Sequence, residues 1–430
     1  MIKDPVVLLQ DLVLSLSDAL DLVHLIAVEH QLRTAYIALR LTLPANRPLD
    51  DQTDLLYAAA LHDIGVLSVE DRIDLMKGDV EDLDRHTVLG ADLLSRFDPF
   101  RTASEIVRRH HTPWTAAGAW EGVPEAVRVS ANAVHLADAV ERMIRRDGGV
   151  LGQVNRIVSE VRRMQGDQFS PDLVDVFLDV SRVEAFWLDA VSPRIGSIIT
   201  DMVEWPRVTL KMDGLEQIGR ILTRVVDFRS PYTASHSTGV AATADLLARR
   251  LLFEERECRL LRIAGHLHDL GKVAVPNAIL EKAARLSSSE FDVIRGHAYH
   301  TYRILSNIGG FEEITQWAAF HHERMNGTGY PFHHKGEALP LGSRIMAAAD
   351  VFTALTENRP YREGMDKEEA VALLKVFASN GSLDPRIVTV MIDEFDPIDR
   401  GRTEAQTAYA EEFSRRPDAG GGPAAFITPR

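Results

Sequence analysis

The sequence predicts an all-α protein made of two tandem helical domains. Long stretches place apolar residues three and four positions apart, the pattern of half-buried helices, and strand signals are few. The chain has 430 residues, more than one hydrophobic core usually supports. An ordered set of histidines and aspartates also occurs twice, once in each half. We therefore expect two helical units that resemble each other.

The helices and domain boundaries follow from this periodicity and from clusters of proline and glycine. We predict helices over residues 215–226, 237–252, 257–270, 289–308 and 367–378, and one over 171–203 that joins the halves. Trp205-Pro206 marks the boundary. The predicted units are an N-terminal domain over 1–204, a catalytic domain over 205–399 and a Gly-rich tail over 400–430, which we expect to be disordered.

Composition excludes several classes of protein. The net charge of −15 argues against a nucleic-acid polymer as partner, because a phosphate backbone requires clustered Lys and Arg. No uncharged apolar run is long enough for a membrane span, and the single cysteine favours a reducing, cytoplasmic location. The first thirty residues form an amphipathic pattern interrupted by acidic residues. Such a stripe is compatible with a homodimer, and also with burial in the core.

The duplicated constellation is the most informative feature of the sequence. The first two histidines are 32 positions apart in both halves. The interval from His86 to His110 is 24 positions, as is that from His297 to His321. The last interval is 27 in the N-terminal half and 28 in the C-terminal half. This agreement indicates a tandem duplication. The N-terminal set is His30, His62, Asp63, His86, His110, His111 and Asp138, and the C-terminal set is His236, His268, Asp269, His297, His321, His322 and Asp350.

Imidazole and carboxylate ligands suit Fe, Mn, Co, Ni or Zn, and the absence of thiolates disfavours a structural zinc site. We expect His268 and Asp269 to project from adjacent positions of one helix, so that Asp269 bridges two metal ions. A metal pair about 3.5 to 4 Å apart would acidify a bridging hydroxide and direct it at phosphorus. We assign one metal to His236, His268, Asp269 and Asp350, and the other to Asp269, His297, His321 and His322.

Lys272 and the histidines outside the two sets have different expected roles. Lys272 lies three residues after Asp269, within reach of the bridging carboxylate, and is expected to bind a phosphate or donate a proton. His266 and His300 lie near expected metal ligands, and the sequence does not decide between a metal-binding and a packing role for them. Isolated histidines more often have a packing or surface role, and we expect that role for His24, His135, His333 and His334.

Three motifs of the C-terminal half carry a family resemblance. They are the segment from His268 to Lys272, the run from His321-His322 to Gly329-Tyr330-Pro331, and the segment from Asp350 to Arg362. Together they resemble the HD-GYP family over about 190 residues. The resemblance implies an all-helical fold with two or three metals, often Fe or Mn, that hydrolyses cyclic di-GMP to pGpG or GMP. Some relatives act on cyclic GMP-AMP.

The resemblance also implies roles for individual residues. Asp269 and Lys272 would be catalytic, with Lys272 on the scissile phosphate. Cationic side chains neutralise phosphates, and an aromatic ring offers a purine a stacking face. The substrate-binding residues would be Lys272, Gly329, Tyr330, Pro331, Arg344, Arg359 and Arg362.

Two departures from the family pattern matter. Tyr232 stands where three-metal members have a glutamate, so we expect two divalent ions, Fe or Mn first and Ni, Co or Zn as alternatives. Fewer metals favour a single cleavage, to linear pGpG. Thr353 stands where many members have an aspartate, which weakens the transfer of the roles of residues around the metal ligands.

The N-terminal half keeps all seven expected ligands but lacks the accessory motifs. Val66 occupies the position of Lys272, and neither a Gly-Tyr-Pro nor an Arg-Pro-Tyr segment follows. Three interpretations compete: a metal-bearing domain with another phosphoester substrate, a regulatory or dimerising domain that binds metal, and a degenerate duplicate. Independent hydrolysis of a cyclic dinucleotide is disfavoured in this half.

The leading hypothesis is a cytoplasmic phosphodiesterase that hydrolyses cyclic di-GMP to pGpG at a two-metal centre. One alternative is a phosphodiesterase for cyclic GMP-AMP. A receptor that binds a cyclic dinucleotide without cleavage is disfavoured by Lys272 and the full ligand set. A general nucleotide phosphohydrolase is disfavoured by the Gly-Tyr-Pro loop.

Overall fold

A computed structural model describes residues 5–22, 29–43, 48–66, 84–203, 208–227, 235–282, 284–358 and 363–414, so the predicted boundary at Trp205-Pro206 lies outside the described residues. The all-helical prediction is confirmed, since the described strands are two short segments that pair with each other. No helix within those ranges is both long enough and apolar enough to cross a membrane.

The N-terminal half contains ten described helices and one short strand. The first helix, α1, buries an apolar face that includes Leu9, Leu12 and Leu16 within the chain. The bounds are β1 (Val7–Leu8), α1 (Leu9–Asp21), α2 (His30–Thr42), α3 (Leu49–Ala60), α4 (Asp84–Ser95), α5 (Arg101–Arg108), α6 (Glu125–Met143), α7 (Val154–Arg163), α8 (Pro171–Val180), α9 (Glu184–Ala190) and α10 (Ile195–Met202), with 3-10 turns at Asp98–Phe100, Ala117–Trp120 and Val150–Gln153.

The C-terminal half repeats this order. Helices α2 and α12 each begin at the first histidine of their set, and α6 and α17 carry its last aspartate. The bounds are β2 (Thr209–Leu210), α11 (Met212–Asp227), α12 (His236–Arg250), α13 (Glu255–Leu267), α14 (Asn277–Leu280), α15 (Ser288–Leu305), α16 (Glu312–Ala319), α17 (Leu341–Thr356), α18 (Lys367–Ser379), α19 (Pro385–Asp393) and α20 (Phe395–Ser414), with 3-10 turns at Leu270–Ala274 and Gly336–Ala338.

Two sequence predictions about helices are wrong. The connecting helix expected over 171–203 is three helices, α8 to α10, and the last break contains Pro193, which cannot continue a helix. Residues 400–414, expected in a disordered tail, belong to α20, which packs on α12 and buries Arg402 and Tyr409. Residues 415–430 lie outside the described residues.

The His-Asp pairs occupy helix ends rather than helix interiors. Helix α13 ends at Leu267, so that His268 is its C-cap and Asp269 precedes the 3-10 turn Leu270–Ala274. His62 and Asp63 likewise follow α3 in a turn. The expectation that both side chains project from one helix is therefore wrong. The turn lets the two side chains converge, whereas adjacent helical positions diverge by about 100°.

The two halves pack against each other through equivalent elements. Strand β1 pairs antiparallel with β2, joining Val7 to Leu210. The buried hydroxyl of Ser15, on α1, donates to the Ile304 carbonyl at the end of α15, 2.8 Å away. In the other direction, α11 packs on α4. Helix α1 also contacts the Leu270–Ala274 turn, so the N-terminal half helps to support the C-terminal site.

A glycine after each His-Asp pair allows a close backbone approach. A Cβ on Gly271 would lie 2.0 Å from the carbonyl oxygen of His297, and a Cβ on Gly65 would lie 2.1 Å from that of His86. Both distances are far inside van der Waals contact. Glycine is therefore required wherever the helix that carries the third histidine packs on the His-Asp turn.

We predict that Gly271→Ala lowers the free energy of unfolding by about 1–3 kcal/mol, because the added methyl group must displace the backbone of α15. Chemical denaturation monitored by circular dichroism measures the change. Gly148→Ala is the matched control, since nothing lies within 4 Å of its added Cβ. Equal stability of the two variants would contradict the proposed packing.

Candidate metal centre

Backbone carbonyls fix the orientation of the clustered histidines. The Nδ1 atom of His268 lies 2.7 Å from the Gly265 carbonyl, and that of His321 lies 2.6 Å from the Ala318 carbonyl. These carbonyls have no partner within their helix, because both histidines follow a helix C-terminus. A carbonyl can only accept, so each Nδ1 carries the proton and each Nε2 presents a lone pair. The Nδ1 atoms of His62 and His110 contact the Ala59 and Val107 carbonyls in the same way, and that of His297, within α15, lies 2.6 Å from the Ile294 carbonyl.

Six of the seven residues of the C-terminal set lie together in two groups. His236, His268 and Asp350 form the first, and His297, His321 and His322 form the second. Within each group the candidate ligand atoms lie within 4.8 Å of one another. Each group could hold a metal ion.

Asp269 lies between the two groups. Its Oδ2 is 3.2 Å from His268 Nε2, while its Oδ1 is 3.4 Å from His297 Nε2. Burial opposes its charge, but the neighbouring His268 and Lys272 hold the pKa of the carboxyl well below its usual range. Asp269 is therefore an anion with one oxygen toward each group.

The donor set fits metal ions. The Nε2 atoms of His297 and His321 face each other at 3.2 Å although both rings carry their proton on Nδ1, so two lone pairs meet with no proton between them. His268 Nε2 is buried, and the described residues offer it no hydrogen-bond partner. Burial lowers the pKa of His297 to about 4 and that of His322 to about 3, so both rings are neutral at pH 7. Neutral imidazoles with inward lone pairs are the form that binds a metal.

Two carboxylates that the sequence analysis missed hold the first histidine of each set. Glu357 lies 3.0 Å from His236 Nδ1, and Glu141 lies 2.6 Å from His30 Nδ1. Burial alone would lower the pKa of His236, but Glu357 and Asp350 outweigh it and raise the pKa to about 10. Both glutamates follow the last aspartate of their set on one helix face. A search for acidic residues at helical spacing after Asp350 would have found Glu357.

The N-terminal set forms a cluster with the same layout. His86, His110 and His111 make one group, and His30, His62 and Asp63 make another. Asp63 belongs to the second of these groups and also faces the first, with Oδ2 3.5 Å from His62 Nε2 and Oδ1 3.7 Å from His86 Nε2. His62 Nε2 is buried, and the described residues offer it no hydrogen-bond partner. This cluster could also hold metal.

The two clusters differ in where a cation lies. In the C-terminal half Lys272 Nζ is 2.5 Å from Asp269 Oδ2. In the N-terminal half Val66 replaces that lysine, and Arg142 contacts Asp138 Oδ2 at 3.0 Å instead. The cation thus lies beside the last aspartate rather than beside the central one.

The Gly-Tyr-Pro loop covers one side of the C-terminal cluster. The Tyr330 ring lies on His322 with centroids 4.8 Å apart, and the Arg295 guanidinium is 5.1 Å from the Tyr330 ring. Buried Glu323 accepts the backbone N–H groups of Phe332 and His333 and so holds the loop in place. The sequence analysis identified the loop but neither Glu323 nor Arg295.

Arg344 makes several contacts within the chain, and its expected role in substrate binding stays a prediction. Its side chain is 9% exposed, and it donates to the carbonyls of Leu339 and Gly336 and to Asp384. Asp384 is the N-cap of α19. At the equivalent position of the N-terminal half, Asn132 accepts a hydrogen bond from the backbone N–H of Ser170, the N-cap of α8. Such duplication in the half without a Gly-Tyr-Pro loop indicates that this link stabilises the fold.

Arg324 is a further cation near the cluster that the sequence analysis did not single out. Its Nη1 is buried, and the described part of the chain provides no hydrogen-bond partner for it. Arg324 follows Glu323 in a turn that Gly329 approaches closely. A Cβ on Gly329 would lie 2.4 Å from the backbone nitrogen of Arg324. Arg359, Arg362 and Tyr232 lie outside the described residues.

The isolated histidines lie outside the metal-binding groups of the described residues. His266 is buried beside Thr223, and His135 packs on Phe169 and His111. His334 packs on Phe320, and His300 contacts Tyr299. His333 is exposed, and His24 lies outside the described residues.

Comparison with known families matches both halves separately. Residues 27–143 and residues 220–387 each match a family described as HD domain. The matched ranges contain the N-terminal and the C-terminal set, respectively. The expected tandem arrangement is therefore confirmed.

Known proteins resemble the chain over one half or over both. The 3'3'-cGAMP-specific phosphodiesterase 1 of Vibrio cholerae is 31% identical over 87% of this chain and 89% of its own length. The cyclic di-GMP phosphodiesterase response regulator of Xanthomonas campestris is 37% identical over 43% of this chain and 47% of its own length. A crystal structure of a cyclic GMP-AMP specific phosphodiesterase from V. cholerae shares the fold, with a TM-score of 0.64 and 24% identity over 91% of this chain and 98% of that one. The chain belongs to the HD-GYP family of HD-domain proteins, with one HD unit in each half.

Proposed function

We propose that the C-terminal unit is a metal-dependent phosphodiesterase that hydrolyses a cyclic dinucleotide to a linear product. The observation that carries the proposal is the position of Asp269 between two groups of inward-facing ligands, with Lys272 on the same carboxylate. The two groups support two metal ions, with Fe or Mn as the first candidates. His236, His268, Asp269 and Asp350 would hold one ion, and Asp269, His297, His321 and His322 the other.

The residues of the chain divide the work between positioning and charge. When bound, a metal pair supplies an acidified water and offsets the charge of a phosphodiester. Asp269 holds both sites at a fixed separation. The ammonium group of Lys272 can leave Asp269 for a phosphate oxygen, because its side chain is 18% exposed. Arg324 offers a second donor to the same anion.

The loop at the cluster provides a surface for the nucleobases. Tyr330 is half-buried on His322, and the Arg295 guanidinium lies over its ring, 5.1 Å from the centroid. A purine can stack on Tyr330 when Arg295 turns to the phosphates, which its charge attracts. The N-terminal half lacks this surface. Its loop begins alike, with Trp114 N bonded to the Gln168 carbonyl as Met325 N is to the Ser382 carbonyl, but Arg128 then covers the Trp114 ring.

Two substrates are supported by different relatives. Cyclic di-GMP is the substrate in the name of the Xanthomonas relative, which matches less than half of this chain. Cyclic GMP-AMP is in the names of two Vibrio relatives that match 87% and 85% of it. The tandem arrangement therefore favours cyclic GMP-AMP, while the motifs of the C-terminal half are compatible with both.

The N-terminal unit is proposed to bind metal without hydrolysing a cyclic dinucleotide. Its ligand groups match those of the C-terminal unit, whereas Val66 and the covered loop remove the phosphate contact and the stacking surface. A homodimer stays a proposal without support from α1, whose apolar face is buried within the chain.

The deciding experiment offers three cyclic dinucleotides, and simple nucleotides, to the same preparation. Protein purified without oxygen, with its metals counted, is incubated with cyclic di-GMP, cyclic GMP-AMP, cyclic di-AMP and simple nucleotides. We expect turnover of a guanine-containing cyclic dinucleotide to a linear product. Binding without turnover in Fe(II) or Mn(II) would favour a receptor, and turnover of simple nucleotides alone would favour a general phosphohydrolase.

We predict that replacing His268 and Asp269 by alanine reduces hydrolysis to the background rate, because it removes ligands from both groups. The matched variant replaces His62 and Asp63 and should keep hydrolysis close to the wild-type rate. Product formation and metal content are measured for both. Loss of activity in the second variant, with metal and fold retained in the C-terminal half, would show that the catalytic site is not in the C-terminal half.

We predict that Lys272→Ala lowers kcat by roughly 100- to 1000-fold while the metal content stays unchanged, because a lost charged donor weakens stabilisation of the transition state. Steady-state kinetics and elemental analysis test both parts. Lys375→Ala, an exposed lysine on α18, is the control. A wild-type kcat for Lys272→Ala would exclude the lysine from catalysis.

A further inference from the structure

We infer that Glu357, held by Gln406 of the C-terminal helix α20, orients His236 for metal binding and replaces a carboxylate missing at position 353. The inference deepens the function proposed above, because His236 belongs to the proposed metal centre. Glu357 and Gln406 are positioning residues, since they act through the imidazole of His236.

The N-terminal half shows where this carboxylate lies in the duplicated unit. Glu141 follows Asp138 by three positions on α6 and contacts His30 Nδ1 at 2.6 Å. Arg146 holds the other Glu141 oxygen at 3.0 Å. Counting three positions from Asp350 on α17 leads to Thr353, where many HD-GYP members have an aspartate.

Thr353 cannot perform this role. Its side chain is fully buried, and its hydroxyl lies 3.5 Å from the hydroxyl of Thr243. A neutral hydroxyl also lacks the charge that favours a proton on Nδ1. Without another acceptor, His236 would lose the contact that determines which of its nitrogens carries the lone pair.

Glu357 provides that acceptor from one helical turn further along the chain. Positions three and seven residues after Asp350 fall on the same helix face. The Glu357 oxygens lie 3.0 and 3.1 Å from His236 Nδ1, and the residue is 5% exposed. The carboxylate has therefore moved by four positions while its contact with the histidine is kept.

Helix α20 stabilises the relocated carboxylate. Gln406 Nε2 donates to Glu357 Oε2 at 3.3 Å and to the Ser235 carbonyl, directly before His236, at 3.1 Å. Arg402 in turn donates to the Gln406 side-chain oxygen and pairs with Asp399. A buried carboxylate requires such partners, because burial without hydrogen bonds is costly.

Gly239 allows this approach of α20. A Cβ at this position would lie 2.7 Å from Gln406 Nε2 and 2.9 Å from Thr353 Cγ2. Helix α20 begins at Phe395, beyond the HD match, which ends at residue 387. The support for His236 thus comes from a part of the chain outside the matched domain.

A carboxylate on Nδ1 fixes the ring orientation and makes Nε2 a stronger ligand, and loss of such a partner lowers metal affinity or activity by about 10- to 100-fold. We expect Glu357→Gln to weaken metal binding by about this factor, because the amide keeps the shape but not the charge. Titration of the metal-free full-length chain with Mn(II) against a chelating indicator measures the affinity. No substrate is present, so the result is independent of the hydrolytic function.

A carboxylate at position 353 should rescue the Glu357→Gln variant. Adding Thr353→Glu to Glu357→Gln restores a carboxylate at the position equivalent to Glu141, and we expect it to recover Mn(II) affinity. Glu368→Gln, in the exposed first turn of α18, is the charge-matched control and should bind as the wild type does. Thermal unfolding of the metal-free variants separates a folding defect from a metal-binding defect.

Two outcomes would overturn the inference. One is wild-type Mn(II) affinity in Glu357→Gln. The other is a loss of affinity that equals the loss seen when the metal-free protein is destabilised away from the cluster, for example in Gly342→Ala, whose added Cβ would lie 2.5 Å from the Trp317 ring; equal losses would indicate a purely structural role. Weak Mn(II) binding with unchanged unfolding, recovered by Thr353→Glu, supports it.

Discussion

Contacts between backbone carbonyls and the imidazole Nδ1 three residues later orient five histidines in the two clusters. A helix leaves its last carbonyls without partners, and His268 and His321 use them to hold their own rings. The bond places the proton on Nδ1 and turns the lone pair of Nε2 inward. Several such lone pairs around Asp269 repel one another until a cation joins them. Helix termini thus prepare a metal site before any metal binds.

Close packing makes this arrangement possible. Gly271 lies against the backbone of His297, and Gly65 lies against that of His86, so the helix carrying the third histidine meets the His-Asp turn without a side chain between them. The duplicated chain repeats this contact in both halves. The halves differ around the clusters. The cation is Lys272 beside Asp269 in the C-terminal half and Arg142 beside Asp138 in the N-terminal half, and the loops next to the two clusters differ as well.

The two halves also depend on each other. Helix α1 from the N-terminal half lies on α15 and on the turn that carries Lys272, while α11 from the C-terminal half lies on α4. A second contact at a distance comes from α20, which reaches Glu357 through Gln406. Elements outside the matched HD regions therefore support the C-terminal cluster from two sides.

The sequence by itself determined the all-helical class, the duplication and the seven-residue sets, because helical periodicity and residue spacing are local patterns. It also located Lys272 and the Gly-Tyr-Pro loop. Only the tertiary structure decided that Arg344 links α17 to α19, that residues 400–414 are helical, and that Glu357 orients His236. Each depends on residues that are distant in sequence. Gln406 lies 49 positions from Glu357, and no local pattern predicts which buried carboxylate a helix will reach.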